Sequence, residues 1–317
     1  MRKIFKCIAA ASLAAVSLLG LTACGPDGVP FGATTLGKPA KATSLSYQER
    51  NENKYSDITK SAESFAADFA ALAYKQYTGK ENFAVSPISV YMALSLAAQC
   101  SAGETQSEIL SVLGVSYDSL LSGFSDYYRS IIADYTERNE YNKEIQTGKI
   151  TLNNSVWLDS NTMPKQQCIE TLADKFFCFS YQAPFADDNV SANQAVRRFV
   201  KDNTNGLIDR DFELSEETVF ALINILYLKD LWNTQGQDLS LTDNSYDFIQ
   251  VDGSVKNTKL LRGYSNSGQV VERESFSTFF TRTANGNKID FILPKDGYTV
   301  DDVFTAENIK EVKSITS

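Results

Sequence analysis

Histidine occurs nowhere in the 317 residues. That absence removes Ser-His-Asp and Cys-His nucleophile activation, and with them every metal site built on imidazole. Paired carboxylates and Ser-Lys chemistry remain formally open, but neither leaves a motif here. No catalytic, cofactor-binding or metal-ligating residue is therefore assigned, and the chain does not read as an enzyme. Positive charge is also short, with 30 Lys and Arg against 39 Asp and Glu and a net charge of −9. Charge alone thus disfavours nucleic acid and anionic lipid as partners. Cysteine is scarce: beyond Cys7 and Cys24 there are Cys100, Cys168 and Cys178, an odd set for a disulfide framework. Cys168 and Cys178 stand close enough in sequence to pair; three buried thiols is the other reading. With no basic histidine beside them, none reads as a nucleophile.

Long hydrophobic runs are limited to one, at the start. Met1, Arg2, Lys3 and Lys6 precede an apolar stretch from Cys7 to Leu21 that ends in Leu21-Thr22-Ala23-Cys24. The run is short for a bilayer span, which needs about 20 residues, and has the length of a secretory signal. Small residues before a cysteine match the bacterial lipoprotein signal; an ordinary signal peptide with a chance cysteine is the alternative. On this reading residues 1–23 are removed, Cys24 is acylated, and the protein is exported and lipid-anchored to the outside of the bacterial cell membrane. Residues 24–49 are rich in Gly, Pro, Ala, Ser, Thr and Lys without an apolar period, and are expected to form a flexible tether. Residues 50–317 form the folded body, since 43% hydrophobic content with aromatics throughout can build a core.

Within the body, Ile58, Ala62, Phe65, Phe69, Leu72 and Ala73 recur at three and four and predict a helix from Ser56 to Tyr77. A short strand is expected at Asn82–Val85. Ser86 is placed to cap a helix with Pro87 in its first turn, and Val90–Cys100 is apolar nearly all round, as a buried helix is. Gly103-Glu104-Thr105 opens another helix, closed at Gly114. Further helices are expected over 119–135, from Pro164 to Phe177 and over 192–204, with a polar loop reaching Thr147. Ile150, Leu152, Asn154, Val156 and Leu158 alternate with Thr151, Asn153, Ser155 and Trp157, which is strand periodicity; Cys178–Ala183 is another strand. The apolar run from Val219 to Tyr227 belongs at the centre of a sheet covered on both faces, with Asn224 as a lone amide needing partners. Ser275–Arg282 and Lys288–Leu293 form a hairpin across Asn285-Gly286, and short helices follow over 299–304 and 306–312.

The order of these features resembles the serpin family. Asn82-Phe83-x-x-Ser86-Pro87-x-Ser89, then Ala102-Gly103-x-Thr105 and Leu113, is similar to that family's amino-terminal signature. Asn203-Thr204-Asn205-Gly206-Leu207-Ile208 resembles the approach to its central strand. Ile223-Asn224-Ile225-Leu226-Tyr227-Leu228-Lys229-Asp230-x-Trp232 resembles Asn-Ala-(Ile/Leu)-Tyr-Phe-Lys-Gly-x-Trp, with Asp230 in place of the glycine. Asp252-Gly253-Ser254 and Phe291-Ile292-Leu293-Pro294 follow in the right order. The resemblance runs from about Tyr55 to the end of the chain.

It implies an α+β fold with amino-terminal helices packed on a large central β-sheet and a second β-sheet. The family's later strands, hinge and reactive loop are expected to follow residue 317. It also implies inhibition of a serine-type, or cysteine-type, protease: the reactive loop is cut and then inserts as an added strand into the central sheet. No residue of the inhibitor is catalytic in that scheme, and no cofactor is implied. Ser86, Ser89 and Asn224 resemble the polar cluster beneath the opening sheet, against a plain reading as a helix cap plus one satisfied amide. Trp232 resembles the tryptophan where the loop first enters, against an ordinary core aromatic. A non-inhibitory serpin-fold binding protein is the alternative function. Expressed alone, these 317 residues are expected to inhibit no protease and to aggregate through an unpaired apolar edge at Val219–Tyr227. Size-exclusion chromatography and a thermal melt check this, and a soluble, cooperatively melting fragment counts against it.

Overall fold

The computed structural model describes residues 32–77, 82–232, 240–250, 252–262 and 270–315. The signal segment 1–23, Cys24 and the start of the expected tether lie outside them. In chain order the elements are β1 (Thr34–Gly37), α1 (Tyr47–Glu52), α2 (Ser56–Gln76), α3 (Pro87–Cys100), α4 (Gly103–Leu113) and α5 (Tyr117–Ile131). Then come β2 (Ala133–Arg138), β3 (Glu144–Asp159), α6 (Gln166–Phe176), β4 (Cys178–Ala183), α7 (Asn189–Asn203) and β5 (Phe220–Lys229). The remainder is β6 (Ser240–Leu241), β7 (Tyr246–Ile249), β8 (Val255–Thr258), β9 (Leu261–Arg262), β10 (Val271–Glu272), β11 (Phe276–Arg282), β12 (Lys288–Pro294), α8 (Val300–Val303) and α9 (Ala306–Ile315). No helix among the described residues is long and apolar enough to cross a membrane.

Helix ends fall where polar and glycine residues stand. Ser86 caps α3 by accepting from the Ser89 N–H, with Pro87 in the first turn where a missing donor costs nothing. Ser116 and Asp188 cap α5 and α7 in the same way. Gly114 closes α4 in the left-handed region at φ 68°.

The chain divides into two compact units, one of residues up to Ala42 with Asn153–Ile225, the other of Thr43–Leu152 with the chain from Leu226 onward. In the first, β4 lies between β1, antiparallel to it, and β3, parallel to it. From Asn154 onward both faces of β3 are buried, so its side chains must satisfy one another or their neighbours. Helix α7 covers one face through Ala192, Ala195, Val196, Phe199 and Val200. Its Phe199 meets Trp157 edge-on at 5.7 Å and Tyr181 at 5.8 Å, and Trp157 also lies 4.6 Å from Tyr181. Each such aromatic pair is worth about 0.5–1.5 kcal/mol beyond the area it buries. These contacts explain why α7 seats on this sheet.

In the second unit the amino-terminal part of β3 pairs antiparallel with β2, and the Tyr128 hydroxyl of α5 donates to the Leu152 carbonyl. The cores of α2, α3 and α5 meet at Phe65, Tyr91 and Tyr127. Tyr91 is fully buried and keeps its hydroxyl within 2.7 Å of Ser61 Oγ. A three-stranded sheet β10-β11-β12 places Phe276 and Ile292 against Val303 and Val312 of the last two helices. Helix α9 is further fastened to α2 by Lys310–Asp68 and Lys313–Glu63 ion pairs.

Four sequence expectations are corrected. Part of the expected tether, residues 24–49, is ordered: Thr34–Gly37 pairs with β4 and Ser46 caps α1. An edge strand is held by backbone hydrogen bonds and needs no apolar run, so composition missed it. Glu49 accepts from the Ser46 N–H and hydroxyl and pairs with Arg129, which together hold its carboxyl down to about 2. Ser46-x-x-Glu49 is a capping box that the sequence did offer. Residues 82–85 form no strand, since they have no strand partner; Phe83 instead packs on Tyr74 and Tyr77. The polar loop before Thr147 is the tight end of the β2–β3 hairpin. Finally β5 is not covered on both faces: among its side chains Ile225 is the buried one, while its pairing among the described strands with β3 leaves the open edge that was expected of these residues. An apolar run reports what a strand needs, not which neighbours are present to supply it.

At Gly37 an added Cβ would lie 2.6 Å from Ile169 Cγ2. Gly37→Val should therefore detach β1 and destabilise the protein by about 1–3 kcal/mol, the usual range for overpacking. Urea denaturation and amide exchange over Thr34–Gly37 measure this; unchanged protection would show that β1 does not depend on the close approach.

Candidate functional site

Two polar groupings stand out among the described residues. The first crosses between β3 and β5. Asn224 Nδ2 donates to Asn154 Oδ1 at 2.7 Å, and Asn154 Nδ2 donates onward to the Phe176 carbonyl at 2.8 Å. One residue along, Ser155 Oγ donates to the Ile223 carbonyl at 3.3 Å, and Trp157 Nε1 donates to Ser155 Oγ at 2.9 Å. Asn154 and Ser155 are fully buried, so these bonds form away from water, where an unmade one is costly. Asn154 also takes up a carbonyl left over at the end of α6. Two buried atoms nevertheless find no partner among the described residues, Asn224 Oδ1 and Ser180 Oγ. Each such group costs about 1–3 kcal/mol relative to its hydrogen-bonded state.

Of the residues singled out from sequence, Asn224 thus joins a relay whose other members, Asn154, Ser155 and Trp157, were not assigned. The signal for Asn154 was present: it is the polar member of an otherwise apolar alternating series. Ser86 and Ser89 bond each other, Oγ to Oγ at 2.9 Å, at the start of α3. That is the geometry of a helix cap, and both side chains are half-buried.

The second grouping surrounds Trp232, which is 47% exposed rather than a core aromatic. It forms a single antiparallel bridge with Thr283 at the start of the β11–β12 turn. Gly286 in that turn has φ 86°, the left-handed conformation expected of Asn-Gly. Two residues before Trp232, the Asp230 carboxylate accepts from Thr283, Asn285 and Asn287 side chains and from the Leu231 N–H. Partial burial raises its pKa, but the donors from Thr283, Asn287 and Asn285 outweigh this and hold it below the ordinary carboxylate value.

The three cysteines among the described residues are not joined by a disulfide: Cys178 is buried, Cys168 half-buried and Cys100 exposed. Neither the disulfide nor a set of three buried thiols is therefore what the fold contains. Burial, with Cys168 nearby, pushes the Cys178 thiol well up, away from thiolate reactivity.

The relay can be apportioned by a double-mutant cycle on Asn154→Ala and Asn224→Ala. Asn154→Ala should cost more, because it also leaves the Phe176 carbonyl bare. The coupling between the two should fall at about 0.5–3 kcal/mol by chemical denaturation. A coupling of zero would mean the two amides do not act together.

A sequence model of the family described as Serpin (serine protease inhibitor) matches residues 60–316. Serpin-ZX of Arabidopsis thaliana is 32% identical over 177 residues, covering 55% of this chain and 43% of that protein. Among solved structures, the thermophilic serpin tengpin in its native state superposes with a TM-score of 0.66 at 21% identity, covering 89% of this chain and 68% of that one. Reactive-loop-cleaved human thyroxine-binding globulin gives 0.65 at 18% identity, covering 81% and 76%. The structural likenesses, at these identities, concern the fold alone. The chain spans about half the length or less of the curated relatives it matches.

Proposed function

The chain belongs to the serpin family, and from that premise we propose that the full-length protein inhibits serine-type, or cysteine-type, endopeptidases on the outside of a bacterial cell, held there by lipid on Cys24. The protease attacks an exposed reactive loop and is acylated by it. The cut loop then enters the central sheet as an added strand, and the distorted protease stays attached. On this reading no residue of the chain is catalytic, and no metal or cofactor takes part.

The observation that carries this reading is the situation of β5. It is an apolar strand that, among the described residues, pairs with β3 along one edge. On that side it is cross-linked by the Asn224–Asn154 amides and by Ser155 to the Ile223 carbonyl. A strand so fastened can take a new neighbour on its other edge without leaving the old one. Polar side chains suit a sheet that must part and re-form, because hydrogen bonds can be exchanged where interdigitated methyls resist. On this reading Asn224 serves in that polar fastening, Ser86 and Ser89 carry the role only by their resemblance to the family's motif, and Trp232 marks the place where the loop starts to insert.

A second reading, a serpin-fold protein that binds rather than inhibits, is favoured by one feature. In the second unit a groove of about 880 Å3 lies among α2, α3, β12 and α9, lined by Ala62, Ala67, Ile88, Ile292, Ile309 and Val312. That volume falls within the range of small-molecule sites.

Incubation of the full-length protein with a panel of serine and cysteine proteases decides between them. Inhibition predicts a detergent-resistant complex of protease and inhibitor; a loop that is merely cleaved, with every protease left active, favours the binding reading. Cys24→Ser should move the protein from the membrane fraction to the soluble fraction, and unchanged membrane association would remove the lipid anchor from the proposal.

A further inference from the structure

Asp230 occupies the first position after β5, where the motif this stretch resembles carries glycine. A glycine there would have no side chain to accept a hydrogen bond. The carboxylate accepts four hydrogen bonds, two on each oxygen. Oδ1 takes the Leu231 N–H at 2.7 Å and Asn285 Nδ2 at 2.6 Å; Oδ2 takes Thr283 Oγ1 and Asn287 Nδ2, each at 2.5 Å. Both oxygens are thereby filled to their ordinary capacity. Three of the donors come from one turn, residues 283–287. The same two stretches are joined at the backbone by the Ala284 N–H donating to the Leu231 carbonyl at 2.8 Å and by the Trp232–Thr283 bridge.

A third stretch closes the arrangement. Thr147 Oγ1 of β3 shares its one proton between the Tyr135 carbonyl at 3.3 Å and Asn285 Oδ1 at 3.4 Å, on the amide whose nitrogen meets Asp230. Beside it, a Cβ at Gly148 would lie 2.5 Å from Asn285 Nδ2 and 3.1 Å from the Lys229 carbonyl. Glycine at 148 is thus what lets Asn285 reach the carboxylate. Residues far apart in sequence, at 147–148, 229–232 and 283–287, converge on one anionic group whose partners here are neutral donors. Charge-assisted bonds of this kind are stronger than neutral ones.

We propose that Asp230 is a positioning residue: it clamps the β11–β12 turn to the end of β5, fixes Trp232 there, and so sets how efficiently a cut reactive loop begins to enter the sheet. The clamp stands on geometry alone; the consequence for the loop rests on the inhibitory reading. A fixed end gives an arriving strand a defined edge to pair with. A loose one slows the first pairing and leaves time for the acyl-enzyme to hydrolyse.

The test uses the full-length protein with Asp230→Gly and Asp230→Asn, the second retaining one acceptor oxygen if the first does not fold. Of the two tryptophans in this chain Trp157 is fully buried, so the acrylamide-quenchable emission that a Trp232→Phe control removes reports on Trp232. Asp230→Gly should raise that quenching and speed amide exchange at Leu231 and Ala284 by about tenfold, the size expected for one lost charge-assisted hydrogen bond. Asp230→Asn should fall between it and the wild type. Against a protease the wild type traps, both variants should consume more inhibitor per protease trapped, while the rate of initial attack on the loop stays the same. A merely structural residue would lower stability without changing that partition. Unchanged quenching and exchange would overturn the clamp. Faster exchange with an unchanged partition would overturn the positioning role. A wild type that traps no protease would end the inhibitory reading and its consequence for the loop, while quenching and exchange still judge the clamp.

Discussion

A strand buried on both faces can carry a polar side chain only where protein atoms take its hydrogen bonds, because water cannot. From Asn154 onward β3 is such a strand, and the arrangement of the first unit follows from it. Asn154 needs a donor for its oxygen and an acceptor for its nitrogen, and finds Asn224 on β5 and the last turn of α6. Ser155, on the opposite face, needs the same and finds the Ile223 carbonyl and the Trp157 indole. The indole in turn fixes Trp157 where Phe199 and Tyr181 can pack on it. Hydrogen bonding therefore decides which aromatic surface α7 meets, and packing supplies the energy that holds it.

The same constraint distinguishes the strands. β4 is bound on both sides, by β1 and β3, and its side chains are mostly buried. β5 is bound on one side among the described strands, and its side chains are mostly half-buried despite its apolar sequence. Side-chain composition alone would place both strands in the interior. The difference lies in the number of partners, a property of the sheet rather than of the strand.

How much of this could be read from the residues depends on how local each cause is. Helix caps at Ser86, the stop at Gly114 and the Asn285-Gly286 turn were legible, since each rests on one residue's own conformational or hydrogen-bonding preference. Asn224 was legible as a problem, an amide in an apolar strand, but not as a solution, because its partner Asn154 lies seventy positions away in sequence. β1 was not legible: its backbone pairs with β4 while its side chains, Thr34-Thr35-Leu36-Gly37, are those of a linker. Gly37 and Gly148 gave no sign either, since what each avoids is an atom contributed by another part of the fold.

The two polar groupings on β5 also differ in kind, and the difference follows from their surroundings. Asn224 meets fully buried partners and is uncharged, as is every other member of its relay. Asp230 follows the strand's exposed end, where Leu228 and Trp232 face solvent, and is ionised. A carboxylate in the position of Asn224 would pay the desolvation of a full charge, whereas an amide loses little. At the solvent-facing end that penalty is smaller, and four donors offset it, which is why its proton affinity falls although burial alone would raise it. An amide joins strands where water is excluded, and a charge joins them where some solvent remains. One strand therefore carries both fastenings, each in the chemical form its local dielectric permits.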